Sequence, residues 1–541
     1  MSLYASPVPM PEKKITFKKA PNGTIYVYYT TRAYRNHKGK PTSDEVAIGK
    51  KDSESGMLIP NKRYHEFFPR DTVPGPMAGT TLLPHRIADY GNIFALMKLA
   101  RETGLAGILE RCFPSKRREL LAVAFYMLCE GNVMMYLEDW FDVTDISFAH
   151  AMGDRRCSEI FASISHDERM FFFEEWIKER QKEEYIAYDV TSISTWSTGI
   201  DIAEWGYNRD GESLPQVNLG MFYGATSRFP VYYTMYSGSI ADKSHLVFML
   251  ESAGRLGIDK VRFVMDRGFV TQENLTYMEK NAYRFIVPFP LTRLEASSLI
   301  EAHGQSIRKA SNHLSAFDLY GAAFDYELYG IRMKAHIFFD SEKQSLDEKE
   351  LYARIAKLSE ELEKMRNAKR IPKRYTDFFD VEKDGATALR FEMDREKIDE
   401  RLKRTGFFIL LTTDLSCSSE ELIRIYRSRD EIEKNFDQLK NGLDFKRLRT
   451  HVAKTTEGKI FVGFLALILR TYLQSKLKAC AQTKALTLGK VLLELKKIKT
   501  VVMPDMKKIV MPLTRMQKTI LLALDIQPEE LIDVDDPEVT V

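Results

Sequence analysis

Residues 185–193 read Tyr185-Ile186-Ala187-Tyr188-Asp189-Val190-Thr191-Ser192-Ile193, an apolar and β-branched run with one carboxylate at its middle. Such a run reads as a buried strand. A carboxylate on a buried strand is costly unless something compensates it. A second strand, Val261 to Met265, runs straight into Asp266-Arg267-Gly268, where the glycine eases the turn away. Between the two lie the aromatic-rich strands Val217 to Tyr223 and Pro230 to Tyr236, joined by a short turn around Gly224 to Arg228, and then a helix over Asp242 to Leu256. After Asp266 the pattern predicts a helix near Gln272–Lys280 and a strand from Arg284 to Val287.

That order is strand, strand, strand, helix, strand, helix, strand. It predicts an α/β chain with a ribonuclease-H-like mixed sheet, in which the first three strands form an antiparallel meander and later strands add in parallel. The first and fourth strands are then neighbours at the sheet centre, with Asp189 and Asp266 side by side. Phe407 to Thr412 is a further strand that returns the chain to this core. Residues 290–404 interrupt it as a large insertion. Within the insertion, Ile331 to Phe339 is strand-like and can pair with Asp325 to Tyr329 across Gly330. Leu351, Ile355, Leu358, Leu362 and Met365 form a helical seam, suited to packing on its own domain or to an oligomer contact, and Pro372 is expected to stop that helix.

Working outward, residues 1–75 read as a small β-rich domain, a candidate DNA-recognition unit with a capping domain on the core as the alternative. It has a strand over Ile25-Tyr26-Val27-Tyr28-Tyr29 after the turn Pro21-Asn22-Gly23, and a second turn at His37-Lys38-Gly39-Lys40. The Pro- and Gly-rich stretch 71–79 marks a linker. Residues 80–180 read as a helical domain, with Leu120 to Cys129 a buried-helix candidate. The core then divides into 181–289 and 405–475 around the insertion 290–404, and 476–541 is a helical region with an acidic tail. The chain has 541 residues, 44% of them hydrophobic and 29% charged, which is enough apolar surface for several cores and excludes wholesale disorder. No uninterrupted apolar run reaches the length of a membrane span; the longest, Ile460 to Leu469, reads as a buried helix. No secretory signal is visible at the N-terminus. Five scattered cysteines without a CxxC pair argue against a disulfide framework or zinc ribbon and fit a reducing cytoplasm.

The net charge of +3 hides an asymmetry. Residues 1–70 carry thirteen Lys/Arg against six Asp/Glu, and residues 421–480 thirteen against seven, whereas the last seventeen residues carry seven acids and no base. Two basic regions point to a polyanionic partner, with ordinary solvated surface as the bland alternative. Inside the second region, Ser418 and Glu421 are spaced as a capping box that opens a long amphipathic helix to about Lys440. That helix sets Tyr426, Arg429, Glu433 and Lys440 on one face, while Leu422, Ile425, Phe436 and Leu439 adjoin it. A solvated charge ladder has the same spacing. Asp189 and Asp266 shift the reading toward chemistry: with Glu433 packed nearby, three carboxylates converge. They repel unless divalent cations bridge them, and hard oxygen ligands suit Mg²⁺ or Mn²⁺. Two such ions, about 3.5–4 Å apart, activate a water or a 3′-hydroxyl and stabilise the leaving oxygen of a phosphodiester. A hydrogen-bonded structural role for Asp189 is the alternative.

The stretch from Ile425 to Lys440 resembles the Y-x2-R-x3-E-x6-K signature of DDE-type bacterial insertion-sequence transposases. Asp189 in Tyr-Asp-Val-Thr and Asp266 in Met-Asp-Arg-Gly-Phe resemble that family's first and second aspartates. A long insertion before the glutamate and an apolar helix after the signature are similar too. The resemblance covers roughly 185–475. It implies that Asp189, Asp266 and Glu433 hold two Mg²⁺ or Mn²⁺ ions, and that Tyr426, Arg429 and Lys440 grip phosphates at the transposon end. There are departures. Asp430-Glu431 stands where many relatives carry Trp, which makes Glu431 a neighbouring decoy, although spacing favours Glu433. The inserted region has no Trp, the residue that in some relatives stacks on a flipped base during hairpin formation.

The function this implies is a DNA transposase that binds terminal inverted repeats, cuts at the ends and joins 3′-hydroxyls to target DNA. Its partners are double-stranded DNA and a second copy of the chain in a synaptic homodimer. Its expected location is the bacterial cytoplasm at the nucleoid, with no membrane. No phosphate-binding loop is present, so no nucleotide cofactor is expected. A ribonuclease-H-like nuclease that only hydrolyses and a domesticated DNA-binding protein without catalysis are the competing functions. The ten histidines show no HxxxH or HxH pair, and His245 and His451 read as structural.

Overall fold

The computed structural model describes residues 7–12, 14–35, 39–53, 55–68, 84–180, 185–256, 262–365, 371–384, 388–429, 436–504 and 507–531. The expected linker at 71–79 and most of the acidic tail lie outside the described residues. The chain divides into two compact units, one of residues 1–87 with 500–509 and one of residues 88–499 with 510–541.

The first unit is built on four antiparallel strands in chain order, Ile15–Lys19, Ile25–Arg35, Pro41–Lys51 and Leu58–Pro60. Its first turn is the expected one: Gly23 has a φ of +84°, and the Thr24 N–H donates to Asn22 Oδ1 at 3.1 Å. One face of the sheet buries Val27, Ile48 and Leu58 with Tyr64, and Tyr29 closes this core against the rings of Phe67 and Phe68.

The second unit holds a nine-stranded sheet. Across it lie Pro230–Ser237, Gln216–Gly224, Tyr185–Ser194, Arg262–Val264, Arg284–Phe289, Phe407–Thr412, Ile331–Phe339, Leu319–Leu328 and His313–Leu314. The first three pair antiparallel. Arg262–Val264 then adds parallel to Tyr185–Ser194, and Arg284–Phe289 parallel to Arg262–Val264. The meander followed by parallel addition is the order read from the sequence. Beyond it the sheet continues antiparallel through Phe407–Thr412, Ile331–Phe339 and Leu319–Leu328. Part of the insertion therefore extends the core sheet, because Phe407–Thr412 offers its second edge to Ile331–Phe339.

The remainder of the insertion has its own small core. Helix Ser341–Lys364 buries Ile355, Leu358 and Leu362 against Tyr375, Phe378, Phe379 and Ile398. The seam is thus satisfied within the chain. Pro372 does not stop this helix: the chain leaves the helical conformation at Met365, with a ψ of 115°, and Pro372 instead precedes the short helix Lys373–Thr376. Met365 packs at the margin of the small core, so a tertiary contact accompanies the helix end that the proline was expected to set.

Helices Gly91–Glu102, Leu105–Cys112, Arg117–Glu130, Asp154–Ser163 and His166–Arg180 share one continuous core with the sheet. Helix Ala453–Ala479 joins the two layers. Among the described residues it is a helix long and apolar enough to cross a membrane, but every residue from Gly458 to Thr471 is buried. Phe461 meets the rings of Phe113 and Phe172, at 5.4 and 5.1 Å, and Phe464 meets Phe173 and, on the sheet, Tyr233. Gly458 permits the helix to approach Asp154–Ser163: a Cβ there would lie 2.1 Å from the carbonyl oxygen of Phe161.

Candidate active site

Strand Tyr185–Ser194 is buried at every position except Asp189, which is partly exposed. Its neighbours Tyr188 and Val190 are apolar and face away, as strand alternation requires. The Val190 N–H donates to Asp189 Oδ1 at 2.8 Å. Burial pushes the Asp189 carboxyl up to about 6. The Val190 hydrogen bond and the charges of Arg209 and Arg429 pull against that, and the charge of Asp266 adds to it.

Asp266 follows the short strand Arg262–Val264. The parallel register pairs Ala187 with Val264. Two residues further along both chains stand Asp189 and Asp266, on the same face by parity. Asp266 Oδ1 caps the turn Arg267–Phe269 by accepting the Arg267 N–H at 2.7 Å. It also accepts Arg429 Nη1 at 3.1 Å, in a pair that leaves 9% of the Arg429 side chain and 46% of the Asp266 side chain exposed. The carboxylate is therefore half open to solvent, whereas its cation is not.

Arg429 follows helix Ser419–Ser428, which opens with Ser418 Oγ accepting the Glu421 N–H at 3.1 Å. The Arg429 guanidinium carbon lies 5.8 Å from the centre of the Tyr426 ring. The helix is not described as one continuous element to Lys440: residues 430–435 lie outside the described residues, and the chain resumes to form a π-helix over Gln438–Gly442. Glu433 and its neighbour Glu431 fall in that gap. Lys440 is buried in the π-helix, and its Nζ donates to Asp210 Oδ2 at 2.7 Å. Both cations read from the sequence are thus buried ion-pair partners rather than members of a solvated ladder.

Asp210 belongs to a loop between the first two strands that the sequence reading passed over. Arg209 pairs with Asp242 at 2.5 Å, and Glu212 with Arg447 at 2.5 Å. Arg447 also lies over the exposed Trp196 ring, 4.7 Å from its centre. Asn208 Oδ1 accepts the Asp210 N–H at 2.9 Å, and Gly206 lets the loop lie on the backbone of Gly238, where a Cβ would meet the carbonyl oxygen at 1.8 Å. The loop is therefore fastened on both sides. The available signal was the charged cluster Asn208-Arg209-Asp210-Gly211-Glu212 between two apolar strands.

The donor set fits a divalent cation. Asp189 and Asp266 are hard-oxygen donors two residues past the paired Ala187 and Val264, and burial with the charge of Asp266 disfavours ionisation of Asp189; a divalent cation held by both would compensate that cost. Among the described residues no three His, Cys, Asp or Glu side chains gather into a metal-holding group. His245 is structural: it stacks on Tyr236, its Nε2 contacts Thr234 Oγ1 at 2.8 Å, and burial lowers its pKa to about 4. All five cysteines are free thiols.

Residues 180–469 match the family described as "Transposase DDE domain". No curated relative matches the chain. Solved structures similar to it at low scores include two transposase complexes. One is a piggyBac transposase synaptic complex with hairpin DNA, at 10% identity and a TM-score of 0.31, covering 78% of this chain and 73% of that one. The other is a Mos1 transposase paired-end complex with left transposon end, at 11% identity and a TM-score of 0.15, covering 47% and 76%. Neither score is high enough to bear on the fold or the site.

Proposed function

Because the chain belongs to the DDE transposase family, whose domain spans more than half of it, we propose that it cuts DNA at the ends of an insertion sequence and joins them to a target. The observation that carries this reading is the parallel pairing of Ala187 with Val264, two residues before Asp189 and Asp266 on their strands. The strand order around that pair supports a ribonuclease-H-like core. Asp189, Asp266 and, by its place in the Y-R-E-K signature, Glu433 would hold two Mg²⁺ or Mn²⁺ ions. When bound, such ions supply a polarised oxygen nucleophile and stabilise the leaving oxygen of a phosphodiester.

The chain's own groups do the rest. Arg429 holds Asp266 in one orientation and, with Tyr426 beside it, offers a guanidinium to a phosphate next to the scissile bond. Lys440 places a second cation at the fastened loop, where a phosphate competes with Asp210 for it. The apolar flank of Asp189 excludes water from one side of the carboxylate pair and strengthens every charge interaction there. The partner is duplex DNA, the working assembly a homodimer that brings two ends together, and the location the cytoplasm, at the nucleoid.

The test is strand transfer in Mg²⁺, with a duplex carrying the end of the element that encodes the chain and a plasmid target. Joined products are expected. Hydrolysis without joining would assign a nuclease, and binding without either product a DNA-binding protein that has lost catalysis.

A further inference from the structure

The second hairpin of the N-terminal sheet extends past its neighbours. Ile15–Lys19 pairs with Ile25–Tyr29, and Leu58–Pro60 with Gly49–Lys51. From Thr30 to Arg35 and from Pro41 to Glu45 the two strands pair with each other, Arg32 with Asp44, Ala33 with Ser43, Tyr34 with Thr42 and Arg35 with Pro41. A register shift between Thr30 and Arg32 marks where this ribbon leaves the sheet. Such a bulge increases twist and re-aims the strands beyond it. All five residues from Thr31 to Arg35 are exposed, so neither face of the ribbon is committed to a core.

A two-stranded ribbon alone in water is marginally stable, so its length contributes nothing to the small core beneath it. Its composition points to a partner. Between Thr31 and Ser43 the sequence has no acidic residue, while Arg32, Arg35, Lys38 and Lys40 are cationic. The acids at its base are engaged: Asp44 accepts from the Tyr34 hydroxyl at 3.3 Å, and Glu45 pairs with Lys18 at 2.8 Å. Arg32 lies over the Tyr34 ring at 5.6 Å, which orders one guanidinium on the ribbon surface. Two strands about 4.8 Å apart, with side chains on both faces, match the major groove of B-DNA, about 12 Å wide and about 8.5 Å deep.

We propose that the ribbon Thr31–Arg35/Pro41–Asp44 enters the major groove of duplex DNA and reads base edges there. Arg32 and Arg35 supply forked donors of the kind that pair with guanine O6 and N7, and Thr42 and Ser43 supply hydroxyls, while the Tyr34 ring only supports Arg32. The inference rests on the transposase reading only for the identity of the DNA.

The experiment uses the full-length protein. Duplexes are enriched from a random-sequence pool by the wild-type chain, and the affinity for the enriched duplex relative to the unselected pool is measured for wild type, Arg32→Ala, Arg35→Ala and Tyr34→Phe. Guanine N7 methylation interference is read on the enriched duplex, and strand transfer is recorded separately. Arg32, Tyr34 and Arg35 are exposed, so the variants keep the wild-type thermal unfolding profile. Each Arg→Ala change should reduce the preference for the enriched duplex about tenfold or more and erase methylation interference at one or two guanines. Tyr34→Phe should leave the pattern unchanged. Retained preference and an unaltered interference pattern in both arginine variants would overturn the proposal. So would interference confined to the minor groove, or a change of oligomeric state in place of the change in selectivity. Loss of strand transfer in the wild type, with selectivity intact, would count against the proposed function and not against the ribbon.

Discussion

Strand Tyr185–Ser194 is buried at nine of its ten positions, and the ribbon strand from Thr31 to Arg35 at none of its five. Each carries charge, and the surroundings give that charge opposite meanings. On the buried strand a single carboxylate is costly unless something compensates it, which makes Asp189 a candidate for chemistry. On the ribbon Arg32 and Arg35 are exposed, and they act on a polyanion through a field that salt weakens. Charge identity says little about a site until burial is known. The +7 of the N-terminal 70 residues and the two central aspartates are equally visible in the sequence, but they predict different experiments.

The largest effect is expected at the buried strand. Asp189→Asn and Asp266→Asn should each slow cleavage of an end duplex by at least about a thousandfold, or about 4 kcal/mol of transition-state stabilisation, with duplex binding unchanged. Gel-based cleavage and binding on the same samples check this, and a variant that cleaves at the wild-type rate is not at the site. Packing gives the second contrast. Leu219 is fully buried on the strand beside Asp189's, so Leu219→Ala should lower the stability of that unit by about 2–5 kcal/mol in urea unfolding. Tyr34→Ala on the ribbon should stay within about 0.5 kcal/mol. Similar costs at the two sites would mean that the ribbon is packed.

A third contrast lies in pH. The folded-state pKa of Asp189, about 6, exceeds its ordinary value of 3.8. The folded chain thus holds a proton that the unfolded chain has lost between those two values, and stability falls as pH rises through that window. Below the lower value the neutral carboxyl costs nothing extra; above the upper one the full cost of the buried charge is present. Without divalent metal, Asp189→Asn should therefore stabilise the protein by about 3 kcal/mol at pH 8, and by little at pH 4. A gain that does not depend on pH would mean that burial is not what lifts this carboxyl. The smallest effect is expected at the cations. Lys440→Ala should flatten the salt dependence of end binding by about 0.9 of a log unit per log unit, and Arg429→Ala by a similar amount. An unchanged slope in both would mean that Asp210 and Asp266 keep these cations from DNA.

Much of the nine-stranded sheet was legible because strands such as Tyr185–Ser194 and Gln216–Gly224 are buried on both faces and read as nearly unbroken apolar runs. Handedness and adjacency rules then leave few ways to order them. The same rules placed Asp189 next to Asp266 before any coordinates. Illegible were the contacts between distant parts of the chain. Nothing local to Lys440 announces Asp210, 230 residues earlier. Nothing in Ile331–Phe339 says that its free edge pairs with Phe407–Thr412 instead of closing a separate domain. The π-helix at Gln438–Gly442 was hidden for a related reason: ideal helical periodicity was carried through a segment where the hydrogen bonding changes. Pro372 misled because a proline forbids a helix without being the cause of every helix end near it.

Asp189 and Asp266 together are proposed to hold a divalent cation. Mn²⁺ binding followed by electron paramagnetic resonance, in wild type, Asp189→Asn and Asp266→Asn at pH 5 and pH 8, tests this proposal most directly. Bound Mn²⁺ is expected in the wild type at pH 8, with weaker binding at pH 5, where the Asp189 proton competes, and loss of binding in both variants. Equal Mn²⁺ binding by all three proteins at both pH values would contradict it.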